Sequence, residues 1–471
     1  MKSLRSSLST RRPRSWLTNA ALIVLGGTTL GTAITLDVES QGSVKAAAKQ
    51  VAYDMVHFYT GNNTGDVPGN LPAPYYWWEA GAMFGTLIDY WYYTGDDTYN
   101  EITTQALQFQ VGDNKNYEPT NQTKTLGNDD QGFWGMAVMA AAEQKYPDPP
   151  AEEPQWLALA QAVFNRQAGR WDTQYCNGGL RWQIFSFNTG YDYKNSISNG
   201  CFFNLAARLA VYTGNQTYAD WANKVYDWIS HTGMMTADYH FYDGAHTTLN
   251  CSDINRIEWT YNVGVFLLGA ANMYNLTEGA EQQLWKTRIN GMLNSSSLFF
   301  APAPSPPNVM WEQACEPHGT CDTDNYSFKA YLSRWMAATT KLAPFTYDFV
   351  MLRLKASATA AAAQCSGGAS GTLCGMKWTE GAKYDGTTGV GQQMAALSVI
   401  QANLITNASA PVSQNTGGTS KGDASAGTGG SNDGNPSAPK NAITGKDKAG
   451  AGILTTLVLI GVIGGCWWMV S

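Results

Sequence analysis

The lengths of the connections between helical segments constrain this chain more than any other feature. Apolar residues recur at helical spacing in about twelve segments, beginning near Ser43, Trp77, Thr98, Asp129, Glu153, Ser196, Thr217, Arg256, Glu278, Tyr326, Phe345 and Gly389. Links that leave even-numbered segments are tight, as at Gly95–Asp97, Gly214–Gln216 and Leu276–Thr277, whereas links leading into even-numbered segments run to roughly 16–31 residues. Structureless loops of that length are uncommon in a compact domain unless they carry function. One tight link repeats: Tyr93-Thr94-Gly95-Asp96-Asp97-Thr98-Tyr99 is echoed by Tyr212-Thr213-Gly214-Asn215-Gln216-Thr217-Tyr218, with Gly suited to a helix C-cap and Thr to the next N-cap. Repetition at a large period points to a closed array of hairpins. The expectation is an all-α toroid of six helical hairpins, with every long loop on one face at the N-termini of an inner ring of even-numbered helices. An irregular helical bundle without a cleft is the alternative. A short hairpin around Leu180–Phe187 and Tyr191 is the one β-like piece expected.

The two ends read as processing signals. Lys2, Arg5, Arg11, Arg12 and Arg14 precede an apolar run from about Trp16 to Ala33, so residues 1–33 are expected to form a secretory signal, with an uncleaved anchor as the alternative. Residues 406–448, above all Gly417–Lys448, are rich in Gly, Ser, Asn and Thr and are expected to be a disordered linker, because they hold too little apolar surface for a core. A second apolar run, Ile453–Val470, follows. Small residues, a polar spacer and a terminal hydrophobic tail are the signal for a glycosylphosphatidylinositol (GPI) anchor, with the tail at 449–471 and attachment within Gly430–Asn441. A tail-anchoring helix is the alternative, but nothing basic follows the run.

Residues 36–405, rich in aromatics and poor in charge, are long enough for one sizeable core. Removing the five basic residues of the leader takes the formal charge from -7 to about -12, which argues against nucleic acid or any other polyanionic partner. Sequons at Asn62, Asn121, Asn215, Asn250, Asn275, Asn294, Asn325 and Asn407 fit an extracellular glycoprotein. Cys315 with Cys321 and Cys365 with Cys374 are close enough to clip loops; of Cys176, Cys201 and Cys251 two can pair, and Cys201, inside a helical pattern, is the expected free thiol.

The chemistry centres on Leu126-Gly127-Asn128-Asp129-Asp130-Gln131-Gly132-Phe133-Trp134-Gly135, which opens the fourth helix. Two like charges this close repel, so in a partly dry cleft one of Asp129 and Asp130 holds its proton more tightly, supplying an acid and a base at one pH. Neighbouring α-carbons lie about 3.8 Å apart, so carboxyl separations of roughly 5 Å are reachable, the spacing of a retaining glycosidase. Helix capping is the ordinary use of such residues. What favours catalysis is the company: Asn128, Gln131 and Trp134 adjoin the pair, and aromatic clusters open other even helices. These clusters hold Tyr76, Trp77 and Trp78 before helix two, Arg181 and Trp182 in the hairpin, Glu258 and Trp259 at helix eight, and Trp378, Tyr384 and Asp385 before helix twelve. Sugars present apolar faces edged with hydroxyls, so aromatics beside polar groups suit a glycan groove, although any single aromatic is more often core. Met83, Phe84 and Met139 read as core. The histidines His57, His231, His240, His246 and His318 show no metal-ligand spacing, and no phosphate loop or nucleophile elbow occurs, so neither metal nor cofactor is expected.

Gly-Asn-Asp-Asp-Gln-Gly-Phe-Trp-Gly at 127–135, Tyr-Trp-Trp-Glu-Ala-Gly at 76–81 and Asn-Gly-Gly-Leu-Arg-Trp at 177–182 resemble glycoside hydrolase family 76, the endo-α-1,6-mannanases, and most of all its fungal GPI-anchored branch. The resemblance spans roughly residues 36–405. It implies an (α/α)6 barrel, retention of configuration, Asp129 as nucleophile and Asp130 as acid/base. It also implies a monomer that is secreted, held by a GPI anchor at the outer face of the plasma membrane and in the wall, and acts on mannan or GPI glycans, with β-glucan as a possible acceptor. A glycan-binding wall scaffold on an inactive barrel is the competing expectation.

Overall fold

Twelve α-helices form among the described residues, each close to the start expected from periodicity. They are α1 (Gln41–Val56), α2 (Trp77–Thr94), α3 (Asn100–Phe109), α4 (Asn128–Glu143), α5 (Trp156–Gly169), α6 (Ser196–Thr213), α7 (Gln216–His231), α8 (Thr260–Leu276), α9 (Gly279–Ser295), α10 (Phe328–Leu342), α11 (Tyr347–Ala363) and α12 (Val390–Gln401). The structure, a computed structural model, describes residues 33–428 and Thr455. The expected leader, apart from its last residue, and the anchor tail, apart from Thr455, lie outside the described residues.

Burial sorts the helices into two rings. The even-numbered helices are buried around almost their whole circumference, as in α6 from Ser196 to Ala210. The odd-numbered ones bury a stripe: α7 hides Tyr218, Ala219, Ala222, Val225, Tyr226 and Ile229 and turns its charged residues outward. The inner helices touch in the order α2, α4, α6, α8, α10, α12, and α12 returns to α2, so the ring is closed; α1 packs on α12, α3 on α2, α5 on α4, α7 on α6, α9 on α8, and α11 on α12 and α10. This is the (α/α)6 barrel. Small residues let the inner helices approach. A β-carbon added to Gly269 of α8 would sit 2.4 Å from Phe203 of α6.

The repeated tight link works as expected at its glycines and differently at its threonines. Gly95 and Gly214 take left-handed conformations (φ 75° and 70°) that end α2 and α6. The first free amides beyond them are accepted by Asp96, from Thr98 N, and by Asn215, from Thr217 N, each at 3.0 Å. A side-chain oxygen on a short stem reaches the amide two residues on, so Asn215 takes the N-cap of α7 expected of Thr, while Asp96 holds the turn ahead of α3, which starts without a side-chain cap.

All the long loops gather at the N-termini of the inner helices. Instead of a hairpin at 180–191, residues 180–187 run irregularly, with Leu180 and Ile184 buried and Gln183 bridged to Gly127; their alternation records burial, not strand pairing. The local sheet comprises β1 (Tyr193–Asn195), β2 (Gly244–His246) and β3 (Ile254–Asn255), antiparallel in that order, and β4 (Cys365–Gly367) pairs with β5 (Leu373–Cys374). Disulfides join Cys176 to Cys251, Cys315 to Cys321 and Cys365 to Cys374, and Cys201 is free and buried. Two lysines with fully buried side chains anchor the loops. Lys194 donates to the carbonyls of Asp172, Tyr175 and Gly178 and faces the Asp172 carboxylate at 3.3 Å. Lys329 pairs with Glu316 at 2.8 Å and donates to Met376 O.

The expected disorder of 406–448 is corrected over its first half. Residues 408–428 form a strap across the opposite mouth of the barrel and along its flank: Val412 N donates to Glu143 O, Gln414 N to Tyr212 O, Leu157 N to the Ser420 hydroxyl, Asp423 N to Gln161 Oε1, and Asn165 Nδ2 to Ala424 O and Ala426 O. Hydrogen bonds to the ends of α4 and α6 and to α5 hold the strap, and a composition argument that counts apolar surface does not register them. Residues 429–448 lie outside the described residues. Ending the chain after Asn407 is expected to cost about 1–3 kcal/mol, the net of several hydrogen bonds less the entropy of ordering the strap, and to lower the melting temperature by a few degrees; an unchanged thermal transition would show that the strap adds no stability.

Candidate active site

The fourth helix starts where two loops meet. Gly127 N donates to the Asp130 carboxylate at 2.6 Å, Asn128 N donates to Trp182 O at 2.8 Å, and Ile184 N donates to Leu126 O at 3.1 Å. The helix therefore opens against the 180–193 loop, with its amide dipoles directed at the first-turn acids. Gly127 is a glycine for steric reasons, since a β-carbon there would lie 2.3 Å from Asp129 Oδ1 and 3.2 Å from Asp130 Oδ2. The two oxygens thus stand no farther apart than those two reaches laid end to end. For these two oxygens that bound lies no higher than the about 5–5.5 Å carboxyl spacing of retaining glycosidases and short of the roughly 6.5–9.5 Å of inverting ones.

Both acids face a cavity of about 210 Å3 lined by Trp78, Asp129, Asp130, Phe133, Trp182, Tyr193, Asn195, Asp243, Tyr261, Asp324 and Phe328. Asp130, Trp78, Trp182 and Asp324 also line an adjoining groove of about 410 Å3, together with Tyr76, Trp77, Lys124, Gln183 and Asn188. Capping and cleft exposure therefore coexist, because one Asp130 oxygen accepts from Gly127 N while the side chain still lines the groove. Burial pushes the Asp129 carboxyl up to about 7, against the N–H groups of Asp130 and of Asp129 itself and the side chain of Asn195, which pull it down. Burial followed by repulsion from Asp129 drives Asp130 well above the usual carboxyl range, with Gly127 N its one opposing main-chain donor. The pair shares protons, and Asp129 is the better provided with donors. On the opposite wall, burial and then Asp322 lift Asp324 to about 6, while it accepts from Trp78 Nε1 at 3.2 Å.

Among the substrate-binding residues expected from sequence, the structure places Tyr76, Trp77, Trp78 and Trp182 on the groove wall, and the others elsewhere. Asn128 and Gln131 are buried behind the pair: Arg170 donates to both and to Glu118, while Gln131 Nε2 donates to Asn116 O. Burial would raise Glu118, but Arg170 and Arg166 outweigh it and hold it below the usual range. Trp134 is core, stacked between Trp77 and Tyr117. Arg181 pairs with Asp172 and lies over the rings of Tyr175 and Tyr191. Glu258 pairs with His240, and Trp259 Nε1 donates to Asp243 from behind the cavity wall. Trp378 is fully buried beneath Lys329. Asp385 accepts from Met376 N and Lys377 N, and Tyr384 donates to Thr387 O, so both hold a turn. An aromatic placed just before an inner helix can serve the core as readily as the groove, and periodicity does not separate the two. The cavity residues missed from sequence include Tyr193, Asn195, Asp243, Asp324 and Phe328. Only Asp324 carried a signal, as an acid in Asp322-Thr323-Asp324 immediately before an inner helix. Among the described residues no group of three or more His, Cys, Asp or Glu is arranged to hold a metal ion. Asn325, a sequon residue, is buried and tied to Asp322 N.

Comparison with known proteins places this geometry among glycosidases. Residues 43–415 match the profile of Glycosyl hydrolase family 76. The chain is 46% identical over 439 residues to mannan endo-1,6-alpha-mannosidase DCW1 of Candida glabrata, covering 93% of this chain and 96% of that protein. It resembles the crystal structure of Dfg5 from Chaetomium thermophilum in complex with glucosamine, with a TM-score of 0.79 and 46% identity over 83% of this chain and 97% of the other. At 20% identity and a TM-score of 0.59, over 76% of this chain and 98% of the other, an alpha-1,6-mannanase from Salegentibacter sp. HEL1_6 shares the fold.

The corrected placement of the tryptophans has a measurable consequence. Trp378→Ala is expected to lower unfolding free energy by about 3–5 kcal/mol as a cavity-forming core truncation, whereas Trp182→Ala, at a side chain 37% exposed, costs under about 1 kcal/mol. Denaturant titration yielding the opposite order would return Trp378 to the groove.

Proposed function

The chain belongs to glycosyl hydrolase family 76, and on that footing we propose that it is a retaining endo-α-1,6-mannosidase or transglycosidase acting on α-1,6-linked mannose of wall mannan or GPI glycans in fungal-type cell-wall biogenesis. The observation that carries this reading is the unequal provision of hydrogen bonds to two adjacent buried carboxyls on the floor of an aromatic cleft. Asp129, the better provided, is the carboxylate that attacks the anomeric carbon as the glycosidic C1–O bond breaks. Asp130 gives its proton to the departing oxygen. In the second half, Asp130 takes a proton from a water or a sugar hydroxyl, whose oxygen attacks C1 and releases Asp129. Trp78, Trp182 and Tyr76 offer flat faces for the sugar rings.

Substrate and location follow from the same surroundings. Asp243 and Asp324 join the pair around a cavity whose lining contains no Lys, Arg or His. Such a wall suits a glycan bearing an ammonium group, and the Chaetomium relative is described with glucosamine. The relatives are named for acting on mannan, and we place this chain at the cell surface and wall. We read the N-terminal leader and the C-terminal GPI signal as the means, with β-glucan as an acceptor and the chain acting as a monomer.

Asp129→Asn and Asp130→Asn are each expected to cut turnover of an α-1,6-mannan oligomer by about 10³-fold or more, and product analysis by NMR to show α-configured sugar released first. Unchanged rates in both variants, or a β product, would remove the assignment. The wild-type kcat/KM profile should be bell-shaped, with an acid limb well above the roughly 4 of an ordinary carboxyl, where Asp129 loses its charge. Stability has the opposite sign: values raised in the folded state stabilise it fully only below about 4, and that contribution is lost as pH rises through about 7. Both Asn variants should therefore match or exceed the wild-type melting temperature at pH 8, separating lost chemistry from lost fold.

A further inference from the structure

We infer that Asn195 is the positioning residue that fixes the negative charge on Asp129 and leaves the proton on Asp130, an inference that rests on the two-aspartate reading above. Asn195 ends β1, where it is paired with Gly244 of β2, and its side chain caps α6. Its Oδ1 accepts from Ser198 N at 3.1 Å. A main-chain amide can only donate, so this bond commits the oxygen to the helix and turns the NH2 end toward the cavity, where it meets Asp129. Rotating the amide would set N–H against N–H at Ser198 and oxygen against the carboxylate. Both contacts oppose the flip, and the side chain is 6% exposed. The sheet fixes where Asn195 stands, the cap fixes which way it points, and Asp129 receives the result.

The other neighbours of Asp129 cannot substitute for it. On its own helix stands Asp130, whose Oδ2 is occupied by Gly127 N at 2.6 Å. From the segment before α10 comes Asp324, whose Oδ1 is held by Trp78 Nε1. From the segment before β2 comes Asp243, which takes the Tyr193 hydroxyl at 2.7 Å and Trp259 Nε1 at 3.2 Å, so the one nearby phenol on β1 is already engaged. Tyr261 of α8 and Cys201 of α6 are held protonated by burial and by nearby carboxylates, and neither is among the hydrogen-bond partners of Asp129. The nearest guanidinium behind the pair, Arg170, is spent on Asn128, Gln131 and Glu118. Apart from the α4 amides, Asn195 is the donor that reaches Asp129 from another element.

The test is the pH profile of Asn195→Ser. Serine is an equally good helix cap, but its hydroxyl, one atom out from Cβ, is taken by the cap and falls short of Asp129. The acid limb of kcat/KM on an α-1,6-mannan oligomer is then expected to move up by at least about one pH unit, a loss of roughly tenfold at pH 5, with recovery to within about threefold of wild type above the limb. KM and melting temperature should stay near wild type. An acid limb that does not move, or a rate loss by one constant factor at every pH, would overturn the inference. Should the serine variant fold poorly, Asn195→Thr keeps the cap and carries the same measurement. Wild-type turnover by Asp129→Asn would instead sink the two-aspartate reading itself, whatever the Asn195 profile.

Discussion

Two adjacent carboxyl groups cannot both be ionised in a dry cleft, and the local structure around α4 is arranged around that conflict. The ring of inner helices buries the pair, the start of α4 supplies amides, and Gly127 keeps a β-carbon out of the space between them. Each contribution is ordinary. Together they leave one acid better solvated by protein dipoles than the other, which is the asymmetry a double displacement needs.

That asymmetry requires the loops around the pair to hold still, and buried cations hold them. Lys194, Lys329 and Arg170 each sit out of solvent with a carboxylate partner and further acceptors: three carbonyls for Lys194, one for Lys329, two side-chain oxygens of α4 for Arg170. A buried charge left without its partner would cost several kcal/mol, so such clusters tolerate few alternative loop arrangements. They occupy loop roots, where little apolar surface is available to order the chain.

The ring was legible in the sequence because it obeys periodicity. Six long connections alternating with short ones leave few arrangements that keep every hairpin buried, and the observed helix starts fall near those expected. The paired acids were legible because they adjoin in sequence. Asp243, Asp324 and Asn195 come to the same cavity from three separate loops, and nothing local marks that meeting. The aromatics divided for a different reason. Trp78 opens one inner helix and Trp378 precedes another, yet one lines the groove and the other lies under Lys329, a distinction made by tertiary packing alone. The strap was missed because it is held by polar contacts to α5 and its neighbours.

The closure of the ring through α12 and α2 bears on how the protein is made. During synthesis the apolar flank of α2 emerges early and waits for a helix that leaves the ribosome only when the barrel is nearly complete. Pairings this distant in sequence form slowly, and open flanks of partial rings invite association with other chains. The nascent protein therefore carries an unsealed flank until its last hairpin emerges.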